Sequence, residues 1–221
     1  MKIKTLTLTL ESDRPISEHG NKLRGFFATR FNEYTLLHQH KGDQFVYKYP
    51  LIQYKVLDGS AKVLGINEGV DVLKEIFDKY ESVKLGENEY KVYERQLSVK
   101  EQDVGFSDKF HRYAFLSPWF ALNEENFPKY LKANQEERQD MLRRILRNNI
   151  LSMSAGVGNP VEKDKEIKVD VKLRETRSRF KGKEMFSFRG EFVVNFLIPD
   201  LLGLGKSVSR GFGTVRCLSN P

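Results

Sequence analysis

Ala61-Lys-Val-Leu-Gly-Ile-Asn-Glu-Gly-Val-Asp-Val-Leu-Lys-Glu-Ile-Phe-Asp-Lys-Tyr80 changes its hydrophobic period halfway along, and that change decides how the chain is read. Residues 61–65 read as a short strand. From Val70 onward, Leu73, Ile76, Phe77 and Tyr80 recur at helical spacing, which gives one buried face, and Asn67 stands where an N-cap belongs. Upstream, Leu6, Leu8 and Leu10 alternate with threonines, so residues 3–11 are expected to form a strand with one face buried. Ile16, Leu23, Phe26, Phe27 and Phe31 then stripe a helix over residues 17–31. Residues 35–57 read as strand segments with Gly42-Asp43 as a turn, and further strands are expected near 82–86 and 89–99. The order is β-α-β-β-α-β with an extra strand, the ferredoxin-like arrangement.

The second half repeats that order more loosely. A strand region at 112–122 precedes a helical stretch from Pro128 to Met153. Asn134 with Glu137 three residues on resembles a capping box, and Gly156 is the expected stop. Ile167, Val169, Val171 and Leu173 alternate with charged residues. After a Lys181-Gly182 turn, Phe186, Phe188, Phe192, Val194 and Phe196 keep the period of two. A glycine-rich loop, Gly203 to Gly213, leads into a last strand near 214–218. The fold class is α+β, with two tandem ferredoxin-like (βαββαβ) domains and a C-terminal glycine-rich loop, divided as residues 1–103 and 104–221. No repeat at a fixed period and no low-complexity segment interrupts it.

Composition narrows the function classes. With 39% hydrophobic and 30% charged residues, the 221-residue chain can bury a core and is not disordered. A formal charge of +7 favours polyanionic partners without identifying them. Cys217 is the sole cysteine, which excludes an internal disulfide and a multi-cysteine zinc site and fits a reducing interior. The longest apolar stretch, 192–204, is broken by Asn195, Pro199 and Asp200 and is too short for a bilayer span. The N-terminus lacks the apolar block of a signal peptide, so a cytoplasmic location without membrane contact is expected.

The loop Leu-Leu-Gly203-Leu-Gly205-Lys-Ser-Val-Ser-Arg-Gly211-Phe-Gly213 sets glycines around Lys206, Ser207 and Arg210. Glycines admit positive φ and let backbone amides approach a phosphate. A nucleotide phosphate loop is excluded, because Asp200 stands where its first glycine belongs and a strand-like tail follows instead of a helix. This segment resembles the glycine-rich loop of the RAMP superfamily (repeat-associated mysterious proteins) of CRISPR systems. His-Gly-Asn-Lys-Leu-Arg-Gly-Phe-Phe-Ala at 19–28, Leu-Leu-His-Gln-His-Lys-Gly at 36–42 and Tyr-Pro-Leu-Ile-Gln-Tyr-Lys at 49–55 resemble its repeat-processing endoribonuclease branch. The similarity spans nearly the whole chain.

Four histidines are available, His19, His38, His40 and His111. His19 lies on the apolar side of the first helix and reads as a core or cap residue, and His111 as a strand-edge residue. On an extended segment His38 and His40 point the same way with Cβ atoms roughly 7 Å apart. That spacing fits three uses: a solvated strand face, part of a metal site lacking a nearby ligand other than Asp43, or two imidazoles flanking a phosphodiester. The resemblance implies the third, with a histidine following the first helix, metal-independent cleavage of repeat RNA, and 5′-hydroxyl and 2′,3′-cyclic phosphate ends. It also implies an assisting tyrosine or basic residue, for which Tyr47 and Arg30 are the candidates. No cofactor and no metal are expected.

RNA-binding candidates are Gly203, Gly205, Lys206, Ser207, Arg210, Gly211 and Gly213 in the loop, Arg143 and Arg147 on the long helix, and Arg177 and Arg179 in the 174–183 hairpin. Phe180 at that hairpin's tip could stack on a base. The expected partner is CRISPR repeat RNA, with other CRISPR effector subunits as further candidates. The aromatic run Phe115 to Phe120 reads as exposed surface that a homodimer would cover. Two rival functions are a non-catalytic RAMP-type subunit that holds guide RNA in an effector complex, and a small metal-dependent nuclease. The nuclease is disfavoured because no carboxylates stand at coordinating spacing.

Overall fold

The alternation of Leu6, Leu8 and Leu10 gives a strand whose leucines are fully buried, and the N-terminal half is built around it. The structure is a computed structural model that describes residues 1–38, 40–41, 44–45, 49–180 and 182–218; the side chains of 38, 40, 41, 44 and 45 lie outside that description. In chain order the N-terminal elements are β1 (Lys2–Ser12), α1 (Gly20–Arg30), α2 (Thr35–His38), β2 (His40–Lys41), β3 (Gln44–Phe45), β4 (Ile52–Leu57), β5 (Ser60–Ile66), α3 (Glu68–Ile76), β6 (Ser82–Leu85) and β7 (Asn88–Asp103). β8 (Gly105–Phe115), α4 (Phe127–Lys132), α5 (Gln135–Gly156), β9 (Val169–Phe180), β10 (Lys183–Leu197), a 3-10 turn at Val208–Arg210 and β11 (Val215–Cys217) follow.

The chain divides into two compact units. One comprises Lys2–Gln102 with Val208–Gly211, and the other Met1, Asp103–Ser207 and the residues from Phe212 on. The first holds a five-stranded sheet in the order β4-β5-β1-β7-β6, the ferredoxin-like order with β6 as the extra edge strand. Leu23 and Phe27 of α1 and Val70, Leu73 and Ile76 of α3 bury against Leu6, Leu8, Leu10, Tyr54 and Val63 of the sheet. The second holds β11-β8-β10-β9, again the ferredoxin-like order. Between β10 and β11, among the described residues, no second helix belongs to this unit; the 3-10 turn at Val208–Arg210 lies in that stretch of chain but is part of the first unit. Among the described residues no helix is long and apolar enough to cross a membrane.

Several expectations are corrected. α1 begins at Gly20, not Ser17, because the Ser17 amide donates to the Tyr90 hydroxyl (3.4 Å) and Tyr90 in turn donates to Glu18 (2.6 Å). Asn67 occupies the N-cap position of α3 at φ +48° but makes no side-chain cap, and its Oδ1 accepts from the Lys4 amide instead. Residues 35–38 are a helical turn, since Leu37 is buried and its amide donates to the Tyr34 carbonyl. The Gly42-Asp43 turn lies outside the described residues. The strand placed at 112–122 runs instead over 105–115. Its pairing with β10 shifts between His111↔Val194 and Phe106↔Phe196, a bulge that hides the strand from a period-two reading.

The capping box of Asn134 and Glu137 forms as expected, but α5 runs through Gly156, and it is Gly158 (φ +89°) that follows the helix. Phe115, Trp119 and Phe120 are buried, with Phe115 stacked on Trp119 at 5.3 Å, so they need no second copy to cover them. Phe180 packs against Phe120 and Phe212 rather than standing free.

The glycine-rich segment closes on itself: the Leu204 amide donates to the Gly213 carbonyl (2.8 Å) and the Val215 amide to Leu202 (2.9 Å). Gly213 has φ +64°, and a Cβ there would overlap the Leu204 carbonyl oxygen. Gly213→Ala is therefore expected to lower unfolding free energy by at least ~2 kcal/mol in urea denaturation; an unchanged midpoint would show that the loop is not held as described.

Candidate nucleic-acid interface

Tyr54 of β4 organises the part of the N-terminal unit that carries most of the expected site. It is fully buried, its ring lies 5.6 Å from that of Phe27, and its hydroxyl donates to the Leu37 carbonyl (3.3 Å), one residue before His38. Its own carbonyl lies where a Cβ on Gly20, the first residue of α1, would have to go. A Cβ on Gly211 would come within 2.8 Å of the same oxygen. Gly211 takes φ +91°, so both space and backbone demand glycine. The α1 N-terminus, the tail of the 3-10 turn and the turn bearing His38 thus converge on one residue.

That packing brings Arg210 to Arg24 of α1. Burial holds the Arg24 guanidinium below its ordinary pKa, and the charge of Arg210 lowers it further. Two guanidiniums gathered on one flank of a helix form an anion-attracting cluster. Arg24 was not among the sequence-derived candidates. Its signal was its place one turn after Gly20, readable only once Gly211 is known to pack there.

The other candidates divide sharply. Arg30 ends α1, donates to the Lys79 carbonyl (2.9 Å) and lies over the Phe31 ring. His38 closes α2 and His40 opens β2, so the pair straddles a helix end, and the strand alternation used to space the two imidazoles does not apply. Their side chains, and Tyr47 altogether, lie outside the described residues. His19 stands at the α1 N-cap, exposed and without a side-chain cap bond. His111 sits within 2.9 Å of Ser107 Oγ.

In the C-terminal unit Lys206 donates to the Leu122 carbonyl (3.2 Å), and burial holds its pKa below the usual lysine value. A Cβ on Gly205 would come within 2.7 Å of Trp119 Nε1, so this glycine serves packing. Gly203 pairs with Thr214 in an isolated bridge, and Ser207 takes φ +59°. Arg143 is held by Asp140 (2.7 Å) and Asp170 (2.9 Å), and Arg177 by Glu184 (3.0 Å) with its guanidinium over Phe186. Arg147 and Arg179 are exposed, and among the described residues neither side chain has a hydrogen bond or ion pair. Among the described residues no three His, Cys, Asp or Glu side chains gather as a metal site requires.

Beside Tyr54 lies a residue that sequence reading passed over. Lys55 is fully buried, its ammonium donating to the Oε1 of the equally buried Gln53 (3.0 Å). Burial brings its pKa down to about 7. Its Cα stands 3.5 Å from where a Gly211 Cβ would be, so it abuts the glycine segment.

The family model of the Cas6b N-terminal domain matches residues 1–103, and that of the Cas6b C-terminal domain matches residues 105–218. The chain belongs to the Cas6b family. A solved structure of Cas6b superposes with a TM-score of 0.88 at 37% identity, covering 97% of this chain and 99% of that one. A structure of the CRISPR RNA processing endoribonuclease Cas6b gives a TM-score of 0.79 at 35% identity over 99% of this chain and all of that one. The uncharacterized protein MJ0978 of Methanocaldococcus jannaschii is 39% identical over 129 residues, 57% of this chain and 85% of that protein.

For this family member the buried lysine sets a pH dependence. The unfolded chain keeps the Lys55 proton up to its ordinary pKa of 10.5, whereas the folded chain gives it up near pH 7. Between these values the unfolded state binds more protons, so stability rises with pH; below pH 7 the full penalty of the buried charge is present. Lys55→Met is expected to stabilise the protein most at pH 6. The gain should shrink as pH rises toward 10, by on the order of 1 kcal/mol per unit. Denaturant melts across that range check it, and a gain independent of pH would refute the assignment.

Proposed function

We propose that this chain is a metal-independent endoribonuclease that cleaves CRISPR repeat RNA and so releases guide RNAs from their precursor. The observation that carries the reading is the match of both Cas6b family models across the two halves, joined by 35% identity to a CRISPR RNA processing endoribonuclease along almost the entire chain.

In this reaction the ribose 2′-oxygen attacks the adjacent phosphorus, its proton passing to a base. The bond from phosphorus to the 5′-oxygen breaks, and that oxygen takes a proton from an acid. The ends are a 2′,3′-cyclic phosphate and a 5′-hydroxyl, no water enters, and the base and acid exchange protonation states. His38 and His40 fill these roles in the proposal, because imidazole is the side chain that both accepts and gives a proton near neutral pH. Their turn is anchored through the Tyr54–Leu37 hydrogen bond. Tyr47 assists, and Arg30 balances charge on the phosphorane. Among the described residues no carboxylate pairs with Arg30, and its single acceptor is a backbone carbonyl, so the charge is available to an anion.

RNA would be drawn to the loop of Gly203, Gly205, Lys206, Ser207, Arg210, Gly211 and Gly213, with Arg210 and Arg24 supplying the charge and the glycines supplying close backbone approach. Arg147 and Arg179 remain open to phosphates. Arg143 and Arg177 would first have to give up their carboxylates, which makes them weaker contributors.

The test is incubation with labelled repeat RNA in excess chelator, beside a copy with a deoxy sugar at the cut. Wild-type protein should cut the first and spare the second. His38→Ala or His40→Ala should slow cleavage by about 10²-fold or more. Cleavage of the deoxy copy, loss of cleavage in chelator, or wild-type rates in both variants would overturn the reading.

A further inference from the structure

The outer face of α1, turned away from the buried Gly20, Leu23 and Phe27, borders an open groove of about 520 Å³ within the N-terminal unit. Asn21, Lys22, Gly25, Phe26, Thr29 and Arg30 form one wall, and Lys84 with Gly86 at the end of β6 forms the other. Three of these eight residues are cations and none is an acid. Among the described residues neither Lys22 nor Lys84 makes an ion pair, and Arg30 meets only a carbonyl and a ring.

The groove is built rather than incidental. Gly86 turns the chain at φ +70°, and the Lys22 stem lies along it, with Nζ 3.6 Å from where a Gly86 Cβ would be. The ammonium stands at the rim, and among the described residues no carboxylate pairs with it. Over Gly25 there is open space, since a Cβ there would meet nothing within 4 Å. Thr29 and Asn21 add hydrogen-bonding groups, and the half-buried Phe26 offers an apolar edge. Lys22 and Arg30 are eight residues apart on one helix, about 12 Å by the helical rise. Beyond Arg30 the next opening is lined by Asp78 and Glu81, so the basic track ends there.

We infer that this groove is a subsite for an unpaired stretch of the repeat RNA. Lys22 and Lys84 grip successive phosphates, and the space over Gly25 receives a nucleotide. The inference rests on the RNA-cleavage reading and adds a site to it. Polyanion chemistry is favoured over a protein segment because cations without acids line the groove. Its volume falls in the range that takes one small molecule, which suits a nucleotide or two and is too small for a duplex. The track runs along α1 from Arg30 to Asn21, which follows the Gly20 that meets the Arg210 backbone.

Binding of repeat RNA would be measured from about 50 to 200 mM salt for wild-type protein, Lys22→Ala/Lys84→Ala, and a control that removes two lysines elsewhere, Lys132→Ala/Lys163→Ala. The groove variant should bind more weakly, with the slope of log affinity against log salt reduced by about 1.4, at ~0.7 for each single-strand phosphate no longer neutralised. The control should keep the wild-type slope. Lys22→Gln/Lys84→Gln, which retains part of the packed stems, should match the alanine variant and guards against misfolding. Steep wild-type binding with an unchanged slope in both groove variants would overturn the subsite while leaving the cleavage reading intact. Equal slope reductions in groove variant and control would also overturn it. Wild-type protein that fails to bind the repeat would overturn both.

Discussion

Two glycines lie against one carbonyl, and the architecture around the candidate site follows from it. β4 is an edge strand, and an edge strand exposes unpaired backbone groups unless something covers it. The segment Val208–Gly211, coming from the far end of the chain, belongs to the same compact unit as β4 and packs on it. The approach is close enough that neither Gly20 nor Gly211 has room for a Cβ beside the Tyr54 oxygen. A side chain at either position would displace the α1 N-terminus, the 3-10 turn, or both. Because the Tyr54 hydroxyl also holds the turn that ends at His38, a disturbance at the glycines would propagate to the histidine segment through one residue.

The elements that sequence reading recovered are those whose pattern is set by local burial. The leucines of β1, the α3 stripe, the Asn134 capping box and the long β9–β10 hairpin each carry their own signal, and the ferredoxin-like order follows from their succession. The misreadings arise where a contact distant in sequence overrides the local pattern. Ser17 and Glu18 would continue α1 by pattern, but Tyr90, more than seventy residues on, takes their hydrogen bonds. Phe115 to Phe120 looks exposed because its partners, Phe188, Phe192, Phe180 and Phe212, come from β9, β10 and the last loop.

The candidate site was legible in the same uneven way. Glycine spacing marked the loop, since glycine's backbone freedom is a property of the residue itself. It did not mark what the loop lies against. Arg24 and Lys55 carry no local pattern that sets them apart from the other cations of the chain. Both are defined by the arrival of Val208–Gly211, a neighbour some 150 or more residues away in the chain.

A net charge of +7 is a sum, and the structure redistributes it. Arg112, Arg138, Arg143 and Arg177 each face a carboxylate, so much of the positive charge of β8, α5 and the hairpin is locally balanced and contributes little to a distant anion. α1 is different: it carries Lys22, Arg24 and Arg30 with no acidic residue, and it receives Arg210 as a fourth cation. Assembling like charges there weakens the protonated form of Arg24, and burying Lys55 beside the same segment adds a second destabilising group. Both costs fall on one side of the N-terminal unit, where the packing around Tyr54 is tight enough to hold them. Local sequence rules are broken most often where a molecule must bind something, because a surface optimised for its own stability would not gather like charges and bury a lysine together. The gathering of cations on α1, a helix with no acidic residue of its own, is therefore a better guide to the polyanion than the total charge, and it points to the helix that leads into the His38 turn.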